Sequence, residues 1–196
     1  MNFLKIIFII CFSFIFNLFT RAQNTDKEFD YDILRHFGSR NGKLDSTSVN
    51  PSIGKINPKP ISIKYKRDEY SRYDNIKIYP ERKLIDVGEY ASYNQDAPKL
   101  TMKVFSSAPK GTLVEIQLGN KNDDNYPSGI HSQYQAFTTE VNKWEELTFK
   151  FAVIPPGSNV NAWDIDKITI VFSPDSKNAD TYYFDELKGP PMIPKE

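Results

Sequence analysis

The C-terminal third of this chain constrains its fold more than any other stretch. Trp144-Glu145-Glu146-Leu147-Thr148-Phe149-Lys150-Phe151, Asp166-Lys167-Ile168-Thr169-Ile170-Val171-Phe172 and Thr181-Tyr182-Tyr183-Phe184-Asp185-Glu186-Leu187 each alternate apolar and polar residues at period two, and clusters of Pro, Gly, Asn and Asp separate them. A strand sends successive side chains to opposite faces, so this rhythm specifies half-buried antiparallel strands.

The rhythm extends upstream. Ile61-Ser62-Ile63-Lys64-Tyr65-Lys66 and Ile76-Lys77-Ile78-Tyr79 alternate, Leu100, Met102 and Val104 share one face, and Val114, Ile116 and Leu118 oppose Glu115 and Gln117. Ala108-Pro109-Lys110-Gly111 reads as a hairpin turn between the last two strands. Residues 131–138 form a further strand after the loop 119–129. Phe29-Asp30-Tyr31-Asp32-Ile33-Leu34 reads as a first strand, residues 38–60 as a long loop rich in Gly, Asn, Ser and Pro, and Leu84-Ile85-Asp86-Val87 as a turn or short strand. No segment sustains a helical period and no internal repeat is visible. The expectation is an all-β chain, an antiparallel β-sandwich of the jelly-roll type with about eight to ten strands in two sheets.

The N-terminus sets the compartment. Lys5 precedes the apolar run of residues 6–19, and Thr20-Arg21-Ala22 presents small residues where a signal peptidase cuts, so residues 1–22 read as a signal peptide cleaved before Gln23. The run is shorter than the roughly 20 residues a bilayer span needs. Cys11, the one cysteine, lies inside it with only five residues between it and Lys5, too early for a lipoprotein cysteine. The exported chain then has no thiol, and core packing or a bound ion must stabilise it. The expected organisation is residues 23–60 as a first strand and loop belonging to the sandwich, residues 61–190 as the sandwich, and residues 191–196 as a tail after Gly189-Pro190-Pro191, with no appended catalytic domain. The location is secreted or periplasmic.

Removing 22 of 196 residues leaves 174, enough for one good core. Lys5 and Arg21 leave with the peptide, so 25 basic residues become 23 against 25 acidic ones. No basic excess or run exists to recruit nucleic acid or an anionic membrane. Aromatics make up 14% of the chain, with 11 Tyr. An aromatic-rich, near-neutral exported chain suits recognition of neutral glycans, and a β-rich core draws on the same residues.

Three runs carry a resemblance: Asn125-Tyr126-Pro127-Ser128-Gly129-Ile130-His131-Ser132-Gln133-Tyr134-Gln135-Ala136-Phe137-Thr138-Thr139, Asn142-Lys143-Trp144-Glu145-Glu146-Leu147-Thr148-Phe149, and Thr181-Tyr182-Tyr183-Phe184-Asp185. With Tyr73-Asp74-Asn75-Ile76 and residues 99–106, they resemble secreted carbohydrate-binding-module-type domains of Bacteroidetes, which have a galactose-binding-like jelly roll. The resemblance spans residues 65–190 and implies the fold more closely than it implies a ligand. It also implies a structural calcium, with Asp185 matching the last-strand ligand and Asp30 the nearest match at the first strand. Hard cations prefer such oxygens, and exported proteins meet millimolar calcium. The alternative is that Asp185 solvates a strand end.

A glycan site needs an aromatic face for stacking and planar polar groups for paired hydroxyl hydrogen bonds. His131, Gln133 and Gln135 share one strand face with Tyr134 opposite. Gln117 and Lys103 on neighbouring outward faces, and Tyr73 with Arg67 and Tyr70 at one edge, complete the candidate ligand-binding set on a concave sheet. The competing reading is an ordinary solvated sheet face. Trp144 belongs to the core or is a sugar platform, and Trp163 lies in a Pro- and Asn-rich segment where an exposed ring is easy to accommodate.

Catalysis is poorly supported. Retaining glycoside hydrolysis needs two carboxylates about 5 Å apart, commonly from one strand face, and no Glu-x-Asp-x-x-Glu spacing occurs. Asp164-Ile165-Asp166 offers a pair where turn-forming Asp is expected. Only His36 and His131 are neutral-pH bases, and no serine sits in a Gly-x-Ser-x-Gly elbow. A lyase set of His131, Tyr134 and Lys103 is too common in aromatic sheets to count. The function expected is non-catalytic polysaccharide binding by a monomer. The alternative is a protein-interaction or structural domain, which would show an exposed apolar patch or sheet edge in place of a polar groove.

Overall fold

The computed structural model describes residues 29–30, 37–39 and 41–194, so the signal peptide expected at residues 1–22 lies outside the described residues. Among them the chain forms β1 (Phe29–Asp30), β2 (Phe37–Ser39), β3 (Lys43–Val49), β4 (Ile61–Lys66), β5 (Ile76–Ile78), β6 (Leu100–Ser106), β7 (Leu113–Gly119), β8 (Ile130–Phe137), β9 (Trp144–Val153), β10 (Lys167–Phe172) and β11 (Thr181–Gly189), with one helical turn, α1 (Val87–Tyr90). Every strand pair is antiparallel. The hydrogen-bonded order is β2-β5-β10-β7-β8-β9-β6-β11-β4-β3, with β1 attached to β11.

This continuous path folds into two facing sheets because β9 serves both. Residues 144–149 pair with β6, whereas Lys150, Phe151 and Val153 pair with β8. One sheet therefore holds β2, β5, β10, β7 and β8, and the other holds β6, β11, β4, β3 and β1. Between them lies a core to which alternate residues contribute: Ile116 and Leu118 of β7, Ile168 and Ile170 of β10, Met102 and Val104 of β6, and Phe184 of β11. Phe172 of β10 stacks on Tyr182 of β11 with ring centroids 4.2 Å apart, locking one sheet onto the other. Burying a side chain of this size contributes about 1.5–3 kcal/mol.

The segment between β6 and β7 differs from the hairpin its turn chemistry suggests. β6 pairs with β9 and β11, and β7 with β8 and β10, so residues 107–112 form a corner carrying the chain between sheets. The Gly111 N–H donates to the Thr138 carbonyl at 2.7 Å there. Turn residues specify a reversal, and which sheet the next strand joins is decided by core packing.

Residues 38–60, expected to be loop, contain β3. It lies at the edge of its sheet, with only Leu44 packed against the core, so little hydrophobic alternation marks it. The expected first strand is described only at Phe29–Asp30, which pairs with Gly189 and Lys188. Leu84 makes isolated bridges to Ile165 and Met192, and Asp86 at φ 59° turns the chain into α1. Among the described residues no helix is long and apolar enough to cross a membrane.

Candidate functional site

The outward face of the β5-β10-β7-β8 sheet carries a groove of about 590 Å3. Register puts its floor together. Thr169 of β10 lies opposite Gln117 of β7, Gln117 opposite Gln133 of β8, and Glu115 opposite both Val171 and Gln135. Their chain neighbours Ile116, Ile168, Ile170 and Tyr134 point into the core, so pleating sends this polar set outward.

Glu115 organises the floor. Its Oε1 accepts from the Nε2 of Gln117 and of Gln133, and its Oε2 accepts from the Nε2 of Gln135, each at 2.8 Å. A carboxylate can only accept, so it fixes which end of each amide faces it. Each glutamine then keeps a carbonyl oxygen and a second N–H for another partner. Glu115 and Gln133 are buried, and that burial makes the shared acceptor hard to replace.

The wall comes from residues 120–129. Asn120 N–H donates to the Gly129 carbonyl, and Lys121 N–H to Asp166 Oδ1 at 2.7 Å. The loop crosses its own stem closely: a Cβ on Gly119 would lie 2.2 Å from the Gly129 carbonyl oxygen, and one on Gly129 would lie 2.0 Å from that of Asp123. Only glycine fits both places. The fold of this loop presents Asp124 and Tyr126 to the groove.

Asp124 is bracketed by two lysines. Lys77 Nζ of β5 stands 2.6 Å from its Oδ2, and Lys167 Nζ of β10 stands 3.0 Å from its Oδ1. The Lys77 hydrogen bond, aided by Lys167, holds the Asp124 carboxyl below the usual carboxylate range. Lys167 is only 1% exposed and donates also to the Asp123 carbonyl, which explains how an ammonium sits beneath a sheet surface. At the rims Tyr73 is 59% and Tyr126 62% exposed.

The residues singled out from sequence separate into three places. Tyr73, Gln117 and Gln133 line the groove, and Gln135 is tied to it through Glu115. Tyr134 does not face a ligand: it is 1% exposed in the core, accepts a hydrogen bond from Ser132, and packs edge-on to Phe151, and burial raises its pKa. Lys103 does not join the concave set either. It lies on β6, on the outward face of the other sheet, ion-paired to Glu186. His131 is buried beside a β-bulge where Ile130, not His131, pairs with Gly119 and lines the groove; burial lowers its pKa.

Arg67 is not a groove edge but a buried staple, donating to Ser176, Asn178 and the Ser71 and Arg72 carbonyls. Trp144 is buried on the outward face of the β6-β11 sheet, edge-on to Phe105, and its indole N–H donates to Asn50 Oδ1 at 2.9 Å. Trp163 is 73% exposed but does not line the groove.

Of the two residues expected to hold calcium, the Asp185 carboxylate has partners within the protein. Asp185 accepts from Asn57 Nδ2 at 3.1 Å and Lys59 Nζ at 3.2 Å, and the Asp30 side chain is outside the described residues. No cluster of three or more His, Cys, Asp or Glu with metal-holding geometry occurs among the described residues. Lys59 Nζ also stands 3.7 Å from Glu186 Oε1, so one ammonium serves both carboxylates there. Glu115, Lys77, Asp124, Lys167 and Tyr126 are the site residues that alternation alone did not single out. For Glu115 and Lys77 the signal was positional, a charged residue between apolar neighbours on a strand, whereas Lys167 follows Asp166 and Asp124 and Tyr126 lie in the loop.

Solved structures share this fold at low identity. The family 11 carbohydrate-binding module from Clostridium thermocellum, in complex with a β-1,3-1,4-mixed-linked tetrasaccharide, aligns with a TM-score of 0.51 at 12% identity, covering 85% of this chain and 95% of that one. The family 11 carbohydrate-binding module of the cellulosomal cellulase Lic26A-Cel5E of the same organism gives 0.50 at 13%, covering 86% and 97%. An exo-β-agarase gives 0.52 at 14%, covering 86% of this chain and 25% of the enzyme, so the chain spans about a quarter of that protein. The chain thus has the β-sandwich fold of carbohydrate-binding modules. No protein-family model and no curated protein sequence matches it.

Proposed function

We propose that this protein binds carbohydrate, without cleaving it, in the groove over β7, β8 and β10. The observation that carries the reading is the pairing of two exposed rim tyrosines, Tyr73 and Tyr126, with a floor of glutamine amides oriented by Glu115. A sugar ring offers an apolar C–H face to an aromatic and a ring of hydroxyls to planar amides, and the groove supplies both. The fold shared with carbohydrate-binding modules supports the reading. Export through the signal peptide belongs to the same proposal, since polysaccharides are met outside the cell.

The carboxylates argue against hydrolysis. Asp124 is held ionised by Lys77 and Lys167, so it is not a proton donor at neutral pH, and Glu115 spends its oxygens on three amides. Affinity per site is expected to be modest, because a shallow groove must displace ordered water for each contact it makes. Retention in native gels containing a panel of soluble polysaccharides, with reducing and unsaturated ends assayed in parallel, tests the reading. Retention without new ends, weakened at least fivefold by Tyr73→Ala or Tyr126→Ala at unchanged stability, is the expected result. Product release would overturn it.

A second reading has one observation in its favour. Residues 49–61 expose Val49, Ile53, Ile56 and Ile61 on a segment tied down by Asn50. Absence of retention on every glycan would shift the weight to a protein-contacting role for that segment.

A further inference from the structure

We infer that Asp124 sets the ligand class of the groove: by engaging both of its lysines, it confines binding to uncharged glycan chains and rejects sulfated or uronate-bearing ones. This rests on the groove being the carbohydrate site. The charged residues lining it are two cations, Lys77 and Lys167, and two anions, Glu115 and Asp124. Lys77 and Lys167 are the groups an anionic sugar would seek, since ammonium hydrogen bonds to sulfate or carboxylate are short and strong. Both are already spent on the two oxygens of one carboxylate, at 2.6 and 3.0 Å.

Geometry gives Asp124 the blocking position. Its side chain is 57% exposed, whereas those of Lys77 and Lys167 are 19% and 1% exposed, so an approaching anion meets the carboxylate before either ammonium. Asp124 rides on a loop whose close self-crossing at Gly119 and Gly129 fixes it in place. The remaining side-chain donors lining the groove, from Tyr73, Asn75, Gln117, Tyr126, Gln133 and Thr169, are neutral and suit hydroxyls. A glycan carrying negative charge would face Asp124 and Glu115 with no free cation to offset them.

The test uses polysaccharide pairs that share a backbone and differ in charge: hydroxyethylcellulose with carboxymethylcellulose, and dextran with dextran sulfate, together with the neutral panel. Native protein should be retained by at least one neutral glycan and by neither anionic partner. Asp124→Asn should gain roughly tenfold in retention by an anionic member, lose that gain in about 0.5 M salt, and lose it again when Lys77→Met is added. Should Asp124→Asn lower the thermal midpoint, Asp124→Ser, which keeps an acceptor for Lys167, carries the same comparison. Equal retention of neutral and anionic partners by the native protein, or no gain in a folded Asp124 variant, overturns the charge gate. No retention of any neutral glycan overturns the carbohydrate reading itself.

Discussion

Replacing Glu115 by Gln keeps the shape of the groove floor while removing the one group that orients it. In the native protein three amide N–H groups converge on the carboxylate at 2.8 Å. A hydrogen bond to a charged partner contributes about 1.5–3 kcal/mol and a neutral one about 0.5–1.5, so the two bonds to Oε1 each weaken by about 1 kcal/mol. At Oε2 the new amide nitrogen would confront the Nε2 of Gln135 donor to donor, and that bond is lost outright. Water on the open side of the groove recovers part of this, which leaves a net cost of about 2 kcal/mol. For a chain of this size that is a fall of roughly 4–8 °C in thermal midpoint. Urea denaturation should show the same loss with an unchanged slope, because the exposed area on unfolding is the same. Affinity for a retained glycan should fall about tenfold, since the amides are free to flip. A stability change below about 0.5 kcal/mol together with unaltered binding would refute the claim that Glu115 holds the floor.

The Asn50 side chain ties the loop at residues 50–60 to β9, donating to the Asn57 and Lys59 carbonyls and accepting from Ser52 and Trp144. Trp144→Phe, which loses one of these bonds, should cost about 1 kcal/mol in urea denaturation, and Asn50→Ala, which loses all of them, at least twice that. Burial lowers the His131 pKa from its ordinary 6.5, so the unfolded chain binds the proton first as pH falls. That contribution to stability is complete above about pH 6.5 and is lost as pH drops through the lowered value; thermal midpoints compared with His131→Asn should converge on acidification. Lys59 and Asn57 hold Asp185, so a chelator should leave the midpoint of the native protein unchanged, whereas a fall of several degrees would restore calcium to the site.

Period-two alternation made the strands from β4 onward legible, because one face of each meets a shared core. It failed where that physics is absent. β3 is an edge strand with little buried on either side, so its Lys43-Leu44-Asp45-Ser46-Thr47-Ser48-Val49 sequence looks like loop. β10 is buried on both faces, and its Lys167 gives no local sign that Asp124, 43 residues earlier, will cover it.

The site was legible by face but not by sheet. Gln117, Gln133 and Gln135 could be placed together because outward positions on paired strands must adjoin. Lys103 has the same outward parity, and nothing in its own strand reveals that the corner at residues 107–112 sends β6 to the opposite side of the sandwich. Tyr134 falls on the inward phase of β8, where its ring packs against Phe151; reading it as a ligand platform gave its aromatic chemistry more weight than its parity. The bulge beside Ile130 shifts the phase at His131 by one residue, which backbone pairing decides and side-chain pattern does not.

Chemical-shift mapping of the protein with an oligosaccharide of whichever neutral glycan retains it tests the central claim most directly. Saturable shifts concentrated on Tyr73, Gln117, Tyr126, Gln133 and Thr169, with the outward face around Lys103 silent, are the predicted result. Shifts centred on the β6-β11 face or on residues 49–61, with the groove silent, would contradict it.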